Sequence, residues 1–143
     1  MATLGAQVVI TGRDQNKIKA VAEECRKLSQ QKALEVVADL QKYEDIEKLV
    51  SETIKEFGKL DVLVNNAGIS QFTPIDSPDI MKLYENIFNT NVRGVVYLTS
   101  LSVPYLEKTK GNVVNVSSVC GLRPVSLHPK TQYFIKLIKI SIQ

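Results

Sequence analysis

The apolar run Leu60-Asp61-Val62-Leu63-Val64, stopping at Asn65-Asn66-Ala67-Gly68, constrains this chain more than any other stretch. A β-branched run of that length reads as a buried strand, and its ending of small and polar residues reads as a turn at a sheet edge. Small residues let a ligand approach the backbone, and Asn side chains satisfy amides where a sheet opens. In open α/β sheets, ligands bind outside the carboxyl ends of the strands. The turn after Val64 is therefore the expected place for a cofactor.

The flanking sequence repeats the same alternation. Ala6-Gln7-Val8-Val9-Ile10-Thr11 reads as a strand closed by Gly12-Arg13-Asp14, with Asp14 as N-cap of the next helix. Ile18, Val21, Ala22, Cys25 and Leu28 fall on one face of that helix. Residues 33–37 return to strand and end at Ala38-Asp39-Leu40. Ile46, Leu49, Val50, Ile54 and Phe57 mark a second helical face, stopped by Gly58. After a loop, Ser77-Pro78 offers an N-cap and a first-turn proline for a long helix over 77–106. Gly111-Asn112 then turns into a strand over 113–116, ending at Ser117-Ser118. Strands alternating with helices imply a mostly parallel sheet with right-handed crossovers, an α/β fold.

Composition narrows the function classes. A chain of 143 residues, 44% hydrophobic and 23% charged, is large enough for one cored domain and is neither disordered nor membrane-spanning in character. The net charge of +3 comes from Lys and Arg scattered among Asp and Glu, which predicts a mixed solvated surface and no nucleic-acid footprint. Cys25 and Cys120 stand far apart, in no metal-ligand spacing, so no metal is expected and a reducing, cytoplasmic setting is. Residues 1–10 lack the basic n-region of a signal peptide. The lone His128 has no Asp or Cys arranged around it and reads as a loop residue.

Five blocks stand in register with one known family: Thr11-Gly12-Arg13, Ala38-Asp39-Leu40, Asp61 through Gly68, Asn91-Val92-Arg93-Gly94 and Asn115-Val116-Ser117-Ser118-Val119. From about Leu4 to Pro124 the chain resembles the short-chain dehydrogenase/reductase family. The resemblance implies a Rossmann-like doubly wound parallel sheet and NAD(P)-dependent oxidation or reduction of small alcohols and carbonyls. It divides the chain into a partial nucleotide-binding domain over 1–124 and a divergent tail over 125–143.

The resemblance also assigns roles. Asp39, with the Leu40 backbone, becomes an adenine contact; the same Asp39 also reads as a turn or helix-capping residue. Asn66, Ala67 and Gly68 line the cofactor edge. Arg13 stands beside the expected adenosine ribose, where a guanidinium grips a 2′-phosphate and an acidic residue favours the plain ribose hydroxyls. Asp14 follows directly, and Arg13 also reads as a solvated loop cation, yet the balance favours NADP over NAD. Asn91 matches the helix Asn that holds a water in the family's proton relay; its residue type alone demands partners for a buried amide. Ser118 is matched to the catalytic Ser, whose hydroxyl hydrogen-bonds a substrate carbonyl as charge develops on it.

Two departures temper the assignment. The family's Thr-Gly-x-x-x-Gly-x-Gly turn is absent, since none of the seven glycines (5, 12, 58, 68, 94, 111, 121) forms that cluster. The opening residues match the end of the family's first helix and its second strand. The sheet is thus expected to lack its central first strand, leaving unpaired edges, as well as its later strands. The family's acid is a Tyr assisted by Lys in Tyr-x-x-x-Lys. Tyr133 is the only Tyr after Ser118, yet Leu137 stands at i+4, with Lys136 at i+3. Tyr133 and Lys136 form either a distorted dyad or a tail aromatic and cation without a catalytic task.

The expectation is an oxidoreductase fragment, inactive as an isolated chain. The alternative is a non-catalytic fragment or pseudoenzyme that binds a full-length partner, or a second copy, through the helix over 77–106.

Overall fold

The computed structural model describes residues 1–71 and 73–118. After a short 3-10 turn at Ala2–Leu4, the elements are β1 (Val8–Gly12), α1 (Gln15–Ser29), β2 (Ala33–Val37), α2 (Tyr43–Phe57) and β3 (Val62–Asn65). They continue with α3 (Ile80–Phe88), a π-helical segment (Asn89–Gly94), α4 (Val95–Thr109) and β4 (Asn112–Asn115).

Local chemistry sets most of these boundaries. Asp14 caps α1, its Oδ1 accepting from the N–H groups of Asn16 at 3.0 Å and Lys17 at 3.2 Å, a contact worth about 1 kcal/mol. The helix stops at Gln30, which takes a left-handed conformation and donates its N–H to Arg26 O. Gly111 is required at the entry to β4. A Cβ there would collide with the backbone oxygen of Asp61, whose carbonyl instead accepts the Asn112 N–H at 3.0 Å.

The strands form two parallel pairs. β1 runs beside β2, from Val8 opposite Ala33 to Gly12 opposite Val37. β3 runs beside β4, from Val62 opposite Asn112 to Asn65 opposite Asn115. Among the described residues no ladder joins β1 to β3. The unpaired edges expected from the sequence lie there.

One core nevertheless spans both pairs. Val36 and Ala38 meet Ile46, Leu49 and Val50 of α2, Leu63 of β3, and Leu98 and Leu106 of α4. Ile46 is fully enclosed, and burying such a side chain contributes about 1.5–3 kcal/mol. On β2, Leu34 and Val36 face this core, so the alternating Ala33 faces the other way, toward α1. There Ile18 and Ala22 are buried. Helices thus cover both faces, as a doubly wound sheet requires.

Three expectations need correction. The helix predicted from Ser77 begins at Ile80; Ser77 Oγ accepts the Asp79 N–H at 3.3 Å, closing a turn rather than capping a helix. It then runs to Thr109, past the expected end, and the π segment interrupts it. The apolar face assigned to α1 is only partly used, because Val21 and Leu28 are 45% and 55% exposed and only Ile18 and Ala22 are buried. The second strand keeps its expected bounds, while the limits of the other three moved by one or two residues, with Asn65 and Asn112 inside the ladders. Among the described residues, no helix is long and apolar enough to cross a membrane.

Candidate functional site

The chemistry-bearing turns follow the carboxyl ends of the strands. Beyond β1 and β2, the Ala38 N–H donates to Gly12 O at 2.9 Å, which carries the pairing up to the two turns. Arg13 is exposed there. Its neighbour Asp14 has its carboxylate turned onto the first amides of α1. Asp39 is half-buried. Its N–H donates to Asp45 Oδ2 at 2.8 Å, and its Oδ1 accepts the Gln41 N–H at 3.0 Å. This is an Asx turn held from both sides.

Beyond β3, the two asparagines divide. Asn65 is 7% exposed. Its Nδ2 donates to Thr99 Oγ1 at 3.1 Å and to Asn115 Oδ1 at 2.9 Å, fastening β3 to α4 and β4. Its Oδ1 is buried with no partner among the described residues, an arrangement that costs about 1–3 kcal/mol. Asn66, Ala67 and Gly68 are exposed, open to a ligand. Ser118, half-buried, lies three residues beyond β4. Tyr133 and Lys136 lie outside the described residues.

The π segment ties the ends of β2 and β3 together. A π turn inserts an extra residue and swings the following side chains round the axis, and such turns recur at functional sites. Asn91, within it, accepts the Ile69 N–H on Oδ1 at 2.8 Å and donates Nδ2 to Ile69 O at 2.8 Å. Gly68 lies directly against that Oδ1, and a Cβ there would sit at 3.5 Å. On the other side, Gly94 abuts the turn after β2: an added Cβ would stand 2.5 Å from Leu40 O. Arg93 donates to Gln41 O at 2.8 Å and its guanidinium lies 5.1 Å from the Tyr43 ring centre.

Tyr97, one turn further, meets Tyr43 edge-on at 4.7 Å and donates its hydroxyl to Glu47 at 2.5 Å. That hydrogen bond to a carboxylate, with a smaller contribution from burial, raises the phenol above its ordinary value near 10. Among the described residues no group of His, Cys, Asp and Glu is placed to hold a metal ion.

Comparison with known proteins gives this arrangement its lineage. The short chain dehydrogenase family model matches residues 1–130. The chain belongs to the short-chain dehydrogenase family. Among relatives, it is 38% identical over 120 residues to 11-beta-hydroxysteroid dehydrogenase-like 4A of Arabidopsis thaliana, covering 84% of this chain and 40% of that protein. It is 37% identical to L-fucose dehydrogenase of Bos taurus over 82% of this chain and 42% of that protein. A solved 7 alpha-hydroxysteroid dehydrogenase, complexed with NADH and 7-oxo glycochenodeoxycholic acid, superposes with a TM-score of 0.81 at 28% identity. The match covers 87% of this chain and 48% of that one. The chain thus spans about two fifths of the curated relatives it matches.

Several residues that shape this edge of the short-chain dehydrogenase chain carried little signal in the sequence. Gln41, Gln71, Asn86 and Thr90 form a hydrogen-bonded series across it. The one available clue was Asn86 and Thr90, a polar pair at i, i+4 beside the apolar Ile87 and Phe88.

Proposed function

We propose that this chain carries the adenosine side and part of the reacting side of a nicotinamide-dinucleotide site, in an oxidoreductase for small alcohols and carbonyls. The observation that carries the reading is the shared anchorage of the Asp39 turn and the loop after Asn65 on residues 86–94 of one helix. That anchorage sets the carboxyl ends of β2 and β3 along one edge, where an open α/β sheet binds its ligand.

The donor set fits the adenosine half. Asp39 and the Leu40 backbone would face the adenine, and the exposed Asn66-Ala67-Gly68 would let the cofactor lie close to the chain. NADP is preferred to NAD in this reading. Arg13 is exposed beside the expected ribose, while the capping role of Asp14 turns its carboxylate away from the ribose hydroxyls. When bound, a nicotinamide supplies or accepts the hydride at the alcohol or carbonyl carbon. Ser118 would donate its hydroxyl hydrogen to the substrate oxygen, and Asn91 would fix the loop at Ile69 and support the relay of the proton.

The diphosphate fits less well, because no glycine cluster stands among residues 1–143. Tyr133 and Lys136 depart from the family's spacing by one residue. The isolated chain is therefore expected to be catalytically silent, with residues 1–124 as its nucleotide-binding part, 125–143 as a separate tail, and the cytoplasm as its setting.

A second reading has support of its own. Met81, Tyr84, Val96 and Val103 are large apolar residues left exposed along the helix, which favours docking of α3 and α4 on a full-length homologue or on a second copy. Co-purification with a complete homologue would favour it; a strictly monomeric species that ignores the homologue would sink it.

Calorimetry on the purified 143-residue protein tests the main reading. Adenosine 2′,5′-bisphosphate is expected to bind at least about tenfold more tightly than AMP, as a charge-assisted phosphate contact allows. Equal affinities would remove the NADP preference. No binding of either nucleotide would remove the site, and NADPH oxidation with any carbonyl would overturn the expected silence.

A further inference from the structure

Gln41 occupies the junction between the two turns of the proposed nucleotide site. Its Nε2 donates to Asn86 Oδ1 at 2.7 Å and to Thr90 Oγ1 at 2.9 Å, one helical turn apart. Its backbone N–H holds Asp39 Oδ1 at 3.0 Å and its carbonyl accepts from Arg93. Asn86 passes the series on, its Nδ2 donating to Gln71 Oε1 at 3.0 Å in the loop after β3. The Gln41 amide gives twice and the Asn86 amide both receives and gives, so the orientation of one fixes that of the next. A solvated surface glutamine makes no such set of contacts; Gln41 is half-buried and reaches residues 45 and 49 positions away.

We propose that Gln41 is a positioning residue that couples the Asp39 turn to the 66–71 loop through Asn86 and Thr90, so that the two ends of a bound dinucleotide are held at one spacing. The dinucleotide part rests on the reading above; the mechanical coupling does not. Hydrogen exchange on the nucleotide-free 143-residue protein therefore tests the coupling directly.

Gln41→Met keeps the length of the side chain and removes both donated hydrogens. It is expected to speed exchange at the Ile69 amide roughly five- to tenfold, the effect of losing about one net hydrogen bond in a locally opening segment. The amides of α1 and β4 keep their rates. A side chain that only fills space would leave Ile69 unchanged in Gln41→Met, and that result overturns the proposal. Asn86→Asp provides a second line should Gln41→Met fail to unfold cooperatively: it still accepts from Gln41 but cannot donate to Gln71. Faster exchange over 69–71 with residues 39–42 still protected supports the series; unchanged exchange over 69–71 overturns it. Saturating adenosine 2′,5′-bisphosphate is expected to protect Ile69 in the unsubstituted chain and not in Gln41→Met. If the nucleotide binds neither protein, the nucleotide reading fails while the nucleotide-free exchange still decides the role of Gln41.

Discussion

Asn91 grips Ile69 at two points, accepting its N–H and donating to its carbonyl, each at 2.8 Å. A helix side chain thereby plays the part of a neighbouring strand for a single residue, and the loop leaving β3 is held four residues beyond the strand's end. This accounts for a half-buried asparagine in the interior of a helix.

Replacing Asn91 tests that grip. Asn91→Leu strands both backbone groups of Ile69 and is expected to lower stability by about 2 kcal/mol, the sum of two net hydrogen bonds. Asn91→Asp keeps the acceptor and loses the donor, so about half that loss is expected. Urea midpoints at unchanged slope are the measurement, and equal stability of Asn91→Leu and the parent would sink the assignment.

Gly94→Ala is expected to destabilise, reversing the usual gain of about 0.5–1 kcal/mol from removing a helical glycine. The added methyl meets the Leu40 carbonyl, a backbone atom that cannot rotate away. Overpacking of this kind costs about 1–3 kcal/mol. A thermal midpoint above that of the parent protein would contradict the close approach.

Tyr97 gives an alkaline signature. Its hydroxyl keeps its proton in the fold above the ordinary value near 10, chiefly because it donates to Glu47. Between about 10 and its raised value, the folded state then holds up to one proton more than the unfolded chain. The stabilisation is complete below that pH and is lost as pH rises through the folded value. Tyr97→Phe is expected to flatten the decline of stability above about pH 10, and ultraviolet titration should lose a tyrosine that ionises above the ordinary value. Superimposable alkaline limbs for the two proteins would remove the claim.

Arg13 and Asp14 separate ligand preference from stability. Arg13→Ala is expected to erase the discrimination between adenosine 2′,5′-bisphosphate and AMP with little change in thermal midpoint, since the side chain is exposed. Asp14→Ala is expected to cost about 1 kcal/mol through the lost cap. A large stability loss in Arg13→Ala would show that it belongs to the fold instead.

Short-range physics explains what could be read beforehand. Val36, Ile46 and Leu63 declare themselves through apolar periodicity, and Asp14 through its place before a helical stripe. The mostly parallel α/β sheet follows from that alternation, and the doubly wound order from the resemblance to the family. The π segment was illegible, because one residue inserted into a helix hardly disturbs the apolar spacing on either side. Gln41 was equally silent: a polar residue after a strand looks the same whether water or Asn86 receives its hydrogens. The exposure of Val21 and Leu28 was misjudged for a related reason, since periodicity marks a face without telling how wide a surface will cover it.

The separation of the strands into two pairs determines how this chain comes apart. A two-stranded sheet has little stability of its own, and parallel pairing is the weaker kind. The ladders therefore survive only while α2 and α4 stay packed across them, through Ile46, Leu49, Leu98 and Leu106. These two helices are the keystone of the assembly: their contact is what joins the β1–β2 pair to the β3–β4 pair, so a single cooperative unfolding transition is expected.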